Sequence, residues 1–161
     1  MTNRLLYLGS LILLMLITGV FWGTWFTLTR SIESFSSEEF IHIGKVIIAN
    51  VAVPMRIIMP LGIILLLVSL WVYPIKKSYG YYFGLLSFLM IIITLLITLI
   101  VLVPIDNEIN MWTASYLPAD WEAIRDKWKI YHALRTITSV LSFSFFCIFI
   151  LAIPVYRRMS N

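Results

Sequence analysis

Four apolar runs, at about 5–29, 46–75, 81–103 and 133–156, dominate the chain, and each is long enough to cross a bilayer. A hydrocarbon core of about 30 Å takes roughly 20 residues of helix at 1.5 Å each. Short of a closed barrel, only helices satisfy their own backbone hydrogen bonds in that medium. The sequence therefore predicts an all-α, four-helix transmembrane bundle. Hydrophobic residues make up 61% of the 161 positions, charged residues 12%, and mean hydropathy is +0.95, which leaves no room for a separate soluble domain. We expect one integral membrane domain over 1–161, with longer loops at 30–45 and 104–132. The first run exceeds a signal-peptide core and lacks a small-residue cleavage site, so it reads as a retained helix.

The charges divide by side. Arg4, Lys76, Lys77, Arg157 and Arg158 flank the runs at one end, whereas all eight acids, from Glu33 to Asp126, lie at the other. The positive-inside rule then predicts cytoplasmic termini in an inner or plasma membrane. Both longer loops and the functional face are expected to be extracytoplasmic, with the fourth helix extending beyond the bilayer on that side. Because the net charge of +4 sits at the ends of apolar runs, it implies a topology signal and no nucleic-acid partner. Cys147, the single cysteine, lies within an apolar run and reads as packing.

Counting inward from the basic ends at 1.5 Å per residue brings Arg56, Arg135 and Trp25 to similar depth. Pro104 is expected to end the third helix just below Asp106 and Asn107. The expected result is a polar layer of Arg56, Asp106, Asn107 and Arg135, with Trp22 or Trp25 beside it. A charge in a span needs a partner, so Arg56, Arg135 and Asp106 are expected to cluster. Two arginines sharing one carboxylate leave positive charge for an oxyanion-bearing ligand. The bland alternative is that these groups close the bundle or snorkel to headgroups.

The fourth helix should start near Pro118, with Asp120 and Glu122 by its positive end. Counted from Trp121, residues Arg125, Trp128, His132, Arg135, Ser139 and Ser142 fall within roughly 80° of one another at about 100° per residue. That stripe should face the interior, although Trp121 and Trp128 also suit an interfacial aromatic belt. His132 is the candidate for proton transfer, because its ordinary titration lies near neutrality. His42 is the other histidine, and an unbroken second helix would hold the two apart. Haem or metal ligation through His132 or His42 stays open, but no motif supports it and no cofactor is predicted. Gly19 with Gly23 and Gly80 with Gly84 form small-residue faces suited to close helix contact or an oligomer. Ser87, Thr94 and Thr98 read as partners for neighbouring backbone.

The segment Val-Pro-Ile-Asp-Asn at 103–107, with Trp112, Leu117-Pro118, Trp121, Arg125, Trp128, His132 and Arg135, resembles the C-terminal signature of the anthrone oxygenase-like family. The resemblance covers about a third of the chain. It implies a small four-helix membrane protein that oxygenates polyketide anthrones to anthraquinones, with Asn107, Trp128, His132 and Arg135 as site residues. The usual pattern is Pro-x-Asn-Asn, so Asp106 is a departure that adds a carboxylate. Two functions follow as expectations. One is a membrane oxidoreductase for a flat lipophilic phenol, anthrone or quinone: Trp128 and Trp25 stack on the ring, His132 takes the proton, and Arg135 with Arg56 holds the oxyanion. Asp106, Trp121 and Arg125 complete its binding set. The other is a non-catalytic membrane module that binds a lipid or quinone headgroup or assists a partner protein.

Overall fold

The computed structural model describes residues 2–113 and 116–159, with side chains described over 3–113 and 116–152. Arg157 and Arg158, used above for orientation, lie outside the described side chains. Helix α1 covers Thr2–Thr27, a 3-10 turn Thr29–Ser34, α2 Ser37–Trp71 and α3 Tyr79–Ile97. A π-helical segment, Thr98–Leu102, leads into α4, Val103–Met111, and α5 covers Trp121–Met159. The protein is all-α, with four helical stretches long and apolar enough to span a membrane, and it is a multi-pass integral membrane protein. Helix α2 packs on α1, α3 and α4, and α5 closes the ring against α1 and α3.

Two boundaries differ from expectation, each for a local reason. Helix α2 begins nine residues before the apolar run, because Ser36 and Glu39 form a reciprocal cap. The Ser36 hydroxyl accepts from the Glu39 amide at 3.4 Å, while the Glu39 carboxylate accepts from the Ser36 amide at 2.8 Å. The acidic stretch therefore starts the helix instead of linking to it, and α2 then continues unbroken through Pro54 and Pro60. Pro104 likewise does not end the third span. It occupies the first turn of α4, where its missing N–H is tolerated, and the π segment before it bonds in a wider register, Val103 N–H to the Thr98 carbonyl. Much of the predicted loop at 104–132 is helix.

The core has two layers. Leu14, Ile17, Phe21, Leu66, Ile91, Phe146 and Phe149 fill the lower one. Ile32, Phe40, Ile105, Ile109, Trp112 and Trp128 fill the one above. Apolar attraction does little to join helices in lipid, so close backbone approach and polar contacts join them here. Ser87 Oγ donates to the Ser142 carbonyl at 2.8 Å and Ser142 Oγ to the Ser87 carbonyl at 2.9 Å, tying α3 to α5. Thr94 adds a bond to Thr138 at 2.8 Å. On the other flank, Thr136 Oγ1 donates to the Phe21 carbonyl at 3.2 Å and Thr18 Oγ1 to the Ser139 carbonyl at 3.1 Å.

The two glycine pairs serve differently. A Cβ on Gly84 would stand 2.5 Å from Phe149 and 2.7 Å from Leu70, and one on Gly80 2.6 Å from the Ala152 Cβ. On Gly19 or Gly23 it would meet nothing within 4 Å. We therefore expect Gly84→Val to destabilise the bundle by about 1–3 kcal/mol through overpacking, with Gly23→Val close to neutral. Paired thermal or denaturant melts in detergent measure both, and equal effects would contradict this packing.

Candidate functional site

The upper layer encloses a short chain of polar contacts. On α5, Trp128, His132, Arg135, Ser139 and Ser142 are all buried, with Trp128 at 0% exposure. Spacings of four, three, four and three keep them on one face. Trp128 Nε1 donates to Asp106 Oδ1 at 2.8 Å. Its ring lies 3.9 Å from the His132 ring, centroid to centroid. Arg135 Nη2 stands 3.0 Å from His132 Nδ1, and the Arg135 guanidinium lies 4.1 Å over the Phe21 ring. Phe40 meets Trp128 edge-on at 5.9 Å.

A guanidinium only donates, so His132 Nδ1 must be the acceptor in that bond. The imidazole is then neutral and carries its proton on Nε2. His132 Nε2 and Arg135 Nε are both buried and make no hydrogen bond among the described residues. A buried donor without a partner costs about 1–3 kcal/mol, and Trp112 Nε1 in the same layer is a third such group among the described residues. Asp106 is near enough for its charge and that of Arg135 to interact, yet they form no direct ion pair.

Other expected members lie elsewhere. Arg56 is exposed on α2 beside Val53 and Ile57, without a hydrogen bond or ion pair among the described residues, so the Arg56–Arg135–Asp106 cluster does not form. Counting along a helix sets height, and Met59 and Gly62 packing inward sets which way Arg56 faces. Asn107 is exposed because Ile105 and Ile109 turn inward and Asn107 stands about 200° round from Ile105. Trp25 lies against Trp22, tilted at 50°, and under Arg30. Phe21, one turn earlier, supplies the ring at Arg135 instead.

Trp121 joins the aromatic layer through Phe40, at 6.0 Å, and lies under the Arg125 guanidinium. Arg125 is also engaged by Asp126 at 2.9 Å. Phe21, Phe40 and Thr136, which bonds the His132 and Phe21 carbonyls, were not anticipated. Phe21 and Thr136 stand in apolar runs and Phe40 in the loop expected at 30–45, and nothing else in the sequence marks them. His42 is exposed on α2 while His132 is buried, and among the described residues no group of three or more His, Cys, Asp or Glu side chains is placed to hold a metal ion.

Residues 48–145, more than half of the chain, match the anthrone oxygenase family. The chain belongs to the anthrone oxygenase family. The matched segment holds Asp106, Trp128, His132 and Arg135, and stops short of Phe21 and Phe40. No curated protein and no solved structure matches this family member.

Proposed function

We propose that this anthrone oxygenase family member is a membrane-embedded oxygenase that takes a flat lipophilic phenol, anthrone or quinone-type ring into the Trp128–His132–Arg135 cluster. The observation that carries the reading is the pair of buried donors, His132 Nε2 and Arg135 Nε, left without acceptors inside an aromatic layer. Fixed donors of this kind stabilise an oxygen that gains negative charge during reaction. Phe21, Phe40 and Trp128 supply apolar ring surface, and the bilayer supplies a reservoir of lipophilic substrate. The ionised ring is electron-rich and reacts with dioxygen as the oxidant, so deprotonation and positioning are enough for the chemistry. Charge placement along the sequence supports an extracytoplasmic site with both termini cytoplasmic.

The test is purified protein in lipid nanodiscs supplied with 1,8-dihydroxyanthrone in air. Oxygen uptake and anthraquinone absorbance should rise at least about a hundredfold above empty nanodiscs, the lower end of what positioned proton transfer contributes. Binding of the ring without turnover would overturn the oxygenase reading in favour of a non-catalytic headgroup-binding module. A haem or copper signal in the visible spectrum would overturn the cofactor-free chemistry.

A further inference from the structure

Resting on that oxygenase reading, we propose that Asp106 is the catalytic base and that His132 acts with Arg135 as a hydrogen-bond donor. The sequence pointed to His132 as the proton acceptor, and the hydrogen bonding argues otherwise. His132 Nδ1 is occupied by the Arg135 guanidinium at 3.0 Å, so the free ring nitrogen, Nε2, already bears the proton. It has no lone pair to offer. Arg135 Nε and Trp128 Nε1 are donors as well. Within this contact chain the remaining acceptor is the Asp106 carboxylate. One of its oxygens takes the Trp128 N–H at 2.8 Å, and the other makes no hydrogen bond or ion pair among the described residues.

The indole of Trp128 separates the two functions. Its N–H edge holds Asp106 and its ring lies 3.9 Å from His132. An anthrone needs this division, because its acidic methylene and its carbonyl oxygen stand on opposite edges of the central ring. The methylene C–H bond breaks and the proton passes to the free Asp106 oxygen. The electron pair moves through the ring to the carbonyl oxygen, which becomes the anthranolate oxyanion and accepts from His132 Nε2–H, the tautomer that the Arg135 guanidinium holds in place. Charge is conserved in this step, since one carboxylate is neutralised as one enolate forms. Dioxygen enters only afterwards.

The experiment separates proton removal from oxygenation. Under argon in deuterated buffer, wild-type protein in nanodiscs should speed deuterium incorporation at the methylene of 1,8-dihydroxyanthrone above empty nanodiscs, read by mass spectrometry. Asp106→Asn keeps an oxygen for the Trp128 N–H and should fold, yet exchange should fall at least about 100-fold. Its affinity for the anthraquinone product, measured by tryptophan-fluorescence quenching, should hold. Asp106→Glu should restore part of the exchange. Exchange at the wild-type rate in Asp106→Asn, or its loss only in His132→Gln, would overturn the assignment and leave the oxygenase reading standing. Oxygenation by wild type without any accelerated exchange would overturn the assignment too. Absence of both activities would overturn the assignment and the reading together.

Discussion

Trp128→Ala is expected to be the most destabilising single change in the site, costing about 3–5 kcal/mol as large buried aromatics do when truncated. Three contacts disappear together: the edge-on packing with Phe40 at 5.9 Å, the 3.9 Å contact with His132 and the hydrogen bond to Asp106 at 2.8 Å. The last loss leaves a partly buried carboxylate without a donor, adding to the cavity left by the ring. Trp128→Phe keeps much of the ring volume and removes only the N–H. It should cost about 1.5–3 kcal/mol, the range for a hydrogen bond to a charged group. Denaturant titrations in detergent, followed by circular dichroism, compare the two. Equal losses would mean that the Asp106 bond carries the whole effect and that ring packing contributes nothing.

Arg135→Met should have the largest effect on activity and little effect on stability. Two costs oppose each other in the fold. Removing a buried guanidinium that has no direct ion pair among the described residues relieves the several kcal/mol that taking an ion out of water costs. Against that, His132 Nδ1 loses its donor and becomes a buried orphan, at about 1–3 kcal/mol. The two nearly cancel. Turnover has no such offset, because the variant no longer fixes the His132 tautomer that presents Nε2–H as a donor. Loss of a single oxyanion donor typically lowers kcat by about 10²–10³. Anthraquinone formation in nanodiscs, measured beside a melt of the same preparation, should fall by that factor while the midpoint moves little. Retained turnover would show that Arg135 is only a structural charge.

How much of this was legible in the sequence depended on whether the signal was periodic or directional. Spacing along α5 is periodic, so the row from Trp128 to Ser142 could be read as one face, and in the structure that row is buried. The facing of Arg56 and Asn107 was not periodic. Each stands in a helix whose inward side is chosen by neighbours, Met59 and Gly62 for one and Ile105 with Ile109 for the other. The end of the third span was misread because Pro104 breaks a regular helix, whereas a π segment ahead of it absorbs the change in register. Phe21 and Phe40 gave no signal at all. An aromatic residue in an apolar run, such as Phe21, looks alike whether it faces lipid, core or ligand, and Phe40 falls in the stretch expected to be loop.

Hydropathy and run length by themselves determined the four spans and the all-α class, since a bilayer leaves backbone polar groups few ways to be satisfied. The sequence also singled out the candidate polar side chains, because charge is scarce in such a chain. Tertiary structure decided which of them meet, and in what protonation geometry. Only packing α4 against α2 and α5 against α1 brings Asp106 to Trp128 and Phe21 to Arg135. Those are pairwise relations across helices, set by azimuth and close packing, and a linear count of residues carries neither.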